Sequence, residues 1–436
     1  MKIGVPAVAI ATSWLLLYLN VEPVPTWFYV FAWYPTLALL DAIATRTDDR
    51  SSALWHPSTI SVLAWSAVIW LVFEAANLRL RNWYYVFLPQ HGWERWSGIL
   101  LSFATVLPAL FLAERALNAA GLFRRSVPRD ATHSAAYRRE RGIPIRGWEL
   151  HAAMGLGVTL AVLALGFPKR FFPLIWSAGF LIADPFVYKR DPSLSLIADI
   201  ERGDPGRIGR LMSGGLGIGM IWETYNFWAR GKWIYTVPWL EHTKLFEMPP
   251  FGFVGFPVFA LEAWSMYAAL CALGVAQPMR GHSRIAARRL GPAIVLAIGF
   301  VAVTLAAMEH RTISSTVPQL AKLPGITPAS VRALEAAGVR SPFTLAERAV
   351  REVTAITSLS VADATNAVTA AQLATLRGIG TRYAQMMWRS GIKSVCDLSS
   401  ANTATLAAAV ELGRRPRPTE TELRVWLRAA KEKCNR

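Results

Sequence analysis

Carboxylates and amides recur at fixed intervals inside segments that are otherwise apolar, and this limits what the chain can fold into. Trp33 and Asp41 return 143 residues later as Trp176 and Asp184. Phe73-Glu74-x-x-Asn77 returns 149 residues later as Trp222-Glu223-x-x-Asn226, and Trp83-Tyr84-Tyr85 returns 150 residues later as Trp233-Ile234-Tyr235. Ionisable groups are costly inside apolar helices, so their recurrence at matching places points to duplication of one helical unit.

The surroundings of these words are too apolar for a soluble domain. Of 436 residues, 53% are hydrophobic and only 17% are charged, and 18 tryptophans suit the aromatic belts of a bilayer protein. Apolar runs near 3–20, 27–44, 59–79, 98–118, 150–167, 171–188, 210–229, 251–275 and 291–309 predict nine crossings. The first run resembles a signal peptide, but its counterpart around His151–Phe167 predicts that it stays as a helix. The expected fold is all-α: a polytopic membrane helix bundle with a parallel internal duplication, about 4+4+1 helices, plus a small soluble domain. Its expected parts are a first membrane repeat (1–120), a basic cytoplasmic linker (121–149), a second repeat (150–276), an extra transmembrane helix (291–310) and a C-terminal domain (317–436).

Basic residues set the expected orientation. Arg124, Arg125, Arg129, Arg138, Arg139, Arg141 and Arg146 fall between the repeats. Lys189, Arg190, Arg202, Arg207 and Arg210 lie between helices six and seven, and Arg280, Arg284, Arg288 and Arg289 follow helix eight. With nine crossings these loops share one face, which positive charge assigns to the cytoplasm. The expected location is a bacterial inner membrane, with the N-terminus cytoplasmic and the C-terminal domain periplasmic. Residues 191–209 are too polar to span, and Leu194, Leu196, Ile197 and Ile200 predict a short amphipathic helix on the membrane surface. Gly214, Gly215, Gly217 and Gly219 predict close helix packing, since no strand precedes them as a dinucleotide site would require.

Each repeat carries three acids: Asp41, Glu74 and Glu114 in the first, Asp184, Glu223 and Glu262 in the second. Glu and Asn three apart share a helix face, so Glu74 with Asn77, and Glu223 with Asn226, each offer acceptor oxygens beside an amide. Such a face can bind a cation, a proton or a hydroxylated head group, can act in proton transfer, or can simply pair with the other repeat. The Trp83 and Trp233 words predict outer loops, as an aromatic belt or as a cap that brings His242 and Glu247 over the core. Catalytic residues cannot be named from these groups. The histidines form no ligand-spaced pair, and Cys271, Cys396 and Cys434 show neither a zinc spacing nor a disulfide framework, so no metal and no cofactor is expected.

Beyond Ser314 the chain becomes Ala-rich and repeats again. Leu323-Pro324-Gly325-Ile326 returns 53 residues later as Leu376-Arg377-Gly378-Ile379, and Gly338-Val339 as Gly391-Ile392. With Gly380, Ala384, Met387, Ser394, Val395 and Leu398, this region resembles the tandem helix-hairpin-helix family over most of residues 318–400. The resemblance implies a glycine hairpin, Gly378 to Gly380, that offers backbone N–H groups to a DNA phosphate, with Arg377, Arg382, Arg389 and Lys393 adding attraction. The first copy departs from the pattern at Thr327, where the second glycine would stand.

The expected function is a polytopic membrane protein whose polar core binds a lipid-like or small polar ligand, fused to an interaction module. Its expected partners are the lipid bilayer, that ligand, and a protein or DNA held by the C-terminal domain. Two alternatives stand beside it: a membrane-anchored nucleic-acid binder for DNA uptake or tethering, and a structural scaffold of a membrane complex.

Overall fold

The computed structural model describes residues 3–47, 52–123, 142–237, 243–280, 285–411 and 416–435. The expectations placed on Arg124 to Arg141, His242 and Arg284 fall outside these residues. The chain is mostly helical and divides into two compact units. One comprises Met1–Leu80, Trp96–Ala229 and His242–Ala306; the other comprises Arg81–Arg95, Arg230–Glu241 and Ala307–Arg436.

In the first unit the helices are α1 (Gly4–Tyr18), α2 (Val24–Thr47), α3 (Ser58–Leu80), α4 (Gly92–Ala104, from Trp96 on), α5 (Val106–Ala119), α6 (Gly147–Gly166), α7 (Ile175–Arg190), α8 (Leu196–Glu201), α9 (Gly206–Trp228), α10 (Gly255–Ala272) and α11 (Ala287–Arg311, as far as Ala306). Among the described residues, seven helical segments, not nine, are long and apolar enough to cross a membrane. They are Val24–Arg46, Ser58–Leu80, Gly92–Ala119, Gly147–Gly166, Pro168–Arg190, Pro250–Ala272 and Ala287–Arg311. Helix α1 has 15 residues, and at 1.5 Å per residue it spans less than the roughly 30 Å hydrocarbon layer. Helix α9 is long enough, but its glycines, Arg207, Arg210 and Glu223 make it too polar.

The glycines of α9 sit where neighbouring helices leave no room for a side chain. A Cβ on Gly215 would stand 2.7 Å from Ala260, one on Gly219 would stand 2.2 Å from the Phe256 ring, and one on Gly214 would stand 3.3 Å from Ala113. Close approach of α9 to α5 and α10 follows, as small residues permit in an apolar bundle.

The segment 191–209 contains the expected short helix, but part of it is buried in the protein. Leu196–Glu201 forms a short helix with Leu196 and Ala198 buried, Ser195 caps it by accepting from Ala198 N–H, and Gly206–Gly209 already belong to α9. Three donors of this turn bond to the carboxylate of Asp184, and that anchorage draws the helix into the protein.

The second unit corrects the expectation of outer aromatic loops. Trp83–Val86 and Lys232–Tyr235 are strands β1 and β2, paired antiparallel with Trp83 opposite Tyr235 and Tyr85 opposite Trp233. Their apolar side chains are core: Tyr84, Val86, Phe87 and Ile234 pack with Leu376, Ile379, Tyr383 and Trp426. The Tyr84 hydroxyl donates to the Arg377 carbonyl at 3.2 Å, and Trp426 Nε1 donates to that hydroxyl at 3.2 Å. Residues 315–317 run along the other edge of β1, with Ser315 N–H on Tyr85 O at 3.0 Å and Val317 N–H on Leu88 O at 2.9 Å. A four-residue strand reads as a loop in sequence because its partner lies about 150 residues away.

The C-terminal helices are α12 (Pro328–Ala336), α13 (Pro342–Ala346), α14 (Val350–Ile356), α15 (Val361–Thr375), α16 (Gly380–Arg389), α17 (Val395–Ser400), α18 (Thr403–Glu411) and α19 (Glu420–Cys434). Thr327, Ser341, Ser360, Ser394 and Thr419 each cap a helix start, the last two in reciprocal boxes with Asp397 and Glu422. Thr327 therefore caps α12 at the place where the second copy has a glycine. A disulfide also joins Cys396 to Cys434, contrary to the sequence expectation. The 38 intervening residues give no local signature, and the pairing depends on α17 packing against α19.

Gly378 occupies the left-handed region (φ +76°), and a Cβ there would lie 1.9 Å from Val86 Cγ1. Replacement by alanine combines backbone strain with overpacking and is expected to cost about 2–4 kcal/mol. Thermal unfolding of the full chain in detergent checks this, and Val86→Ala added to Gly378→Ala should restore part of the loss.

Candidate functional site

The acids singled out by the repeats fall into two groups. Asp41, at the end of α2, accepts from Ser52 Oγ, from Ala53 N–H at 2.9 Å and from Arg115 at 3.3 Å. Asp184, fully buried on α7, accepts from Ser195 Oγ at 2.6 Å, Leu196 N–H at 3.1 Å, Ile197 N–H at 2.9 Å and Ser265 Oγ at 2.8 Å. Glu114 is bridged to Arg210 at 2.7 Å. Glu262 accepts from Gly179 N–H at 2.5 Å through Oε1, while its buried Oε2 has no hydrogen-bond partner among the described residues. These groups tie helices and turns together, which is what a buried carboxylate surrounded by donors does.

The second group converges on α9. Glu223 and Asn226 are fully buried, and Glu247 is 1% exposed. Tyr29, on α2, donates its hydroxyl to Asn226 Oδ1 at 2.9 Å, and Glu223 and Glu247 both lie within electrostatic reach of that phenol. A phenol bonded to an amide thus lies within electrostatic reach of two buried carboxylates inside an apolar bundle. Around them Trp33 packs on Trp222 and Tyr225, with ring centroids 5.7 and 5.2 Å apart, and Thr36 bonds Tyr225 at 2.8 Å. Tyr29, Trp33 and Thr36 stand at i, i+4 and i+7, so helical spacing alone places them on one face. Tyr29 was absent from the sequence reading of the site, and this periodicity was the signal that could have found it.

Glu74 and Asn77, the first-repeat counterparts, are equally buried but sit among different neighbours. Trp70 Nε1 donates to Glu74 Oε1 at 2.9 Å, and Phe73 stacks on Trp176 at 5.3 Å. The structure therefore brings Glu223, Asn226 and Glu247 together and leaves Asp41, Asp184 and Glu114 in ion pairs and turn contacts. Outside the apolar spans, burial raises the Asp199 carboxyl above its usual range, and Arg207 and Arg202 oppose that shift.

In the C-terminal domain, Gly378, Ile379 and Gly380 are all buried, beneath Val86 and Ser315 of their own unit. Arg377 turns at φ +41° and its carbonyl is taken by Tyr84. Arg382, Arg389 and Lys393 are exposed, with Arg382 over the Tyr383 ring and Lys393 over that of Trp388. Burial raises the Glu422 carboxyl, and its bond from Thr419 N–H and the Arg81 charge act in the opposite sense. A group with a raised folded-state pKa binds more protons folded than unfolded, so stability from Glu422 falls as pH rises through the carboxylate range. Glu422→Gln is expected to flatten that pH dependence in thermal unfolding.

Together these features describe a helical chain with, among the described residues, seven bilayer-length apolar helices and a separate small helical domain. Residues 324–433 match a domain of unknown function (DUF4332). No curated protein and no solved structure shows significant similarity to the chain.

Proposed function

We propose that the chain is a polytopic integral membrane protein of a bacterial inner membrane whose buried cluster binds a small polar or lipid-like ligand. The carrying observation is the convergence of Tyr29, Glu223, Asn226 and Glu247. Asp41, Asp184 and Glu114 are held by surrounding donors and arginines, and this cluster places two carboxylates within electrostatic reach of one phenol inside an apolar bundle, where ionisable groups are costly. Native mass spectrometry of the full chain in mild detergent tests the reading. A retained small-molecule mass in wild type, lost in Glu223→Gln with an unchanged melting temperature, is the expected result. Loss of folding in Glu223→Gln would favour the scaffold instead.

Three local symmetries support a parallel duplication. Asp41 bonds residues 11 and 12 positions ahead, and so does Asp184. Trp33 meets Trp222 while Trp176 meets Phe73, so equivalent rings exchange partners. In the ribbon, Trp83 opposes Tyr235 and Tyr85 opposes Trp233, the pairing of two equivalent strands about a twofold.

The C-terminal domain is read as a tandem helix-hairpin-helix that serves protein contact. Gly325 and Gly378 share positive φ, as do Gly338 and Gly391, and Val339 N–H to Leu334 O matches Ile392 N–H to Met387 O. The buried second hairpin favours packing over phosphate capture. Salt-dependent DNA binding by the full chain would restore the nucleic-acid reading, with Arg382, Arg389 and Lys393 as its carriers. The disulfide supports placing this domain in an oxidising compartment, hence on the periplasmic side. A C-terminal alkaline phosphatase fusion that is active only when exported tests the side.

A further inference from the structure

Glu262, on α10, is an acid that its surroundings leave half satisfied. It is 2% exposed and accepts from Gly179 N–H of α7 at 2.5 Å through Oε1. That approach requires glycine, since a Cβ on residue 179 would stand 2.5 Å from the same oxygen and 2.9 Å from Glu262 Cγ. Oε2 is also buried and has no hydrogen-bond partner among the described residues.

Asp184 and Glu114 are provided for differently. Asp184 collects four donors, and Glu114 is bridged to Arg210, so each is supported as an anion. A single N–H does not offset the burial of a full negative charge among apolar side chains, whereas a neutral carboxyl forgoes only one bond. In the neutral form the proton sits on Oε2, because Oε1 already faces a donor. The charged groups on the helices packed against α10 are engaged elsewhere. Arg115 of α5 meets Asp41, and Arg207 of α9 meets Asp199. Glu74 of α3 accepts from Trp70, and Glu223 of α9 lies within reach of Tyr29.

The two directions along α10 differ. Three residues back, Phe259 packs against Trp70 and Trp176, with ring centroids 5.6 and 5.8 Å apart, which closes that side with aromatic surface. Three residues on, about 4.5 Å along the axis, Ser265 shares the helix face and donates to Asp184 Oδ2 at 2.8 Å. Asp184 in turn accepts from Ser195 Oγ at 2.6 Å, in the turn of the polar segment 191–209. Polar groups therefore continue from Glu262 towards that segment and not towards Phe259.

We propose that Glu262 is an exchangeable proton-binding site of the apolar bundle, carrying a proton on Oε2 at neutral pH and releasing it by way of Ser265 and Asp184. On release the Oε2–H bond breaks and its electron pair stays on the carboxylate, while the Ser265 hydroxyl takes up that proton and passes its own to Asp184. The inference rests on the membrane reading but not on the Tyr29 cluster. Its readout reports on Glu262 itself, so its failure is distinct from failure of the membrane reading.

Infrared spectra of the full chain in detergent test it. At neutral pH the difference between wild type and Glu262→Gln is expected to show complete loss of a carboxylic acid C=O band. Loss of a carboxylate band instead overturns the proposal. In wild type the acid band should fade as pH is raised and return when pH is lowered, with the protein folded throughout. A band that persists until unfolding marks a sealed structural acid and also overturns it. Should Glu262→Gln fail to fold, wild type is treated with dicyclohexylcarbodiimide, an apolar reagent for protonated carboxyls, and mapped by peptide mass. The carboxyl adds across one C=N bond, its proton goes to nitrogen and the whole reagent is retained. Label on Glu262 supports the proposal, and its absence there overturns it.

Discussion

Asp184→Ala is expected to destabilise the membrane-type unit by about 3–5 kcal/mol. The carboxylate lies fully buried and accepts from two serine hydroxyls and two backbone N–H groups. Its removal leaves four donors facing a void, and each buried donor without an acceptor costs about 1–3 kcal/mol before the surroundings relax. Part of that is recovered, because the turn from Ser195 can move towards water. Asp184→Asn keeps the shape but points an amide donor at other donors, and about half the loss is expected. Asp41→Ala should cost less than Asp184→Ala, since Asp41 accepts from fewer backbone groups. Thermal unfolding of the full chain in detergent separates the three variants. An Asp184→Ala protein that melts within about 2 °C of wild type would remove the structural role assigned here.

Breaking the Cys396–Cys434 bond is expected to cost about 4 kcal/mol, the chain-entropy value for a loop of this length. The loop closes 38 residues and staples α19, which carries the Trp426 contact to β1, onto α17. Cys396→Ser, Cys434→Ser and mild reduction should act alike, each loosening the C-terminal domain to limited proteolysis while the apolar bundle stays intact. Cys271 is buried and free, so an unreduced folded protein should react with little maleimide, and a reduced one should expose two further thiols. If protein isolated from cells with thiols blocked at lysis carries Cys396 and Cys434 in reduced form, the oxidising-compartment reading fails along with the periplasmic side.

The apolar helices were legible because bilayer-length hydrophobic runs are a local property, and seven of the nine expected segments met the condition. The two that did not, α1 and α9, show where locality ends: one is short, and the other carries polar and small residues that only its neighbours explain. The glycines of α9 were readable as packing residues, but their partners Phe256, Ala260 and Ala113 were not. The helix caps at Ser394 and Thr419 lie within three residues of their partners, and that closeness makes such signals readable. In the candidate site, Glu223 and Asn226 stood out as a repeated pair on one helix face. Tyr29 did not, since its counterpart by the repeat offset, Phe172, has no hydroxyl.

From the amino-acid order alone came the repeated acids, the apolar helices and the two glycine-paired motifs of the tail, because each depends on composition or on spacing within a helix. Tertiary structure alone decided which acid meets which donor. It also decided that the Trp83 and Trp233 words pair as a ribbon, and that the second hairpin lies beneath Val86. Those outcomes depend on side chains hundreds of residues apart reaching the same few ångströms, and no local preference carries that information.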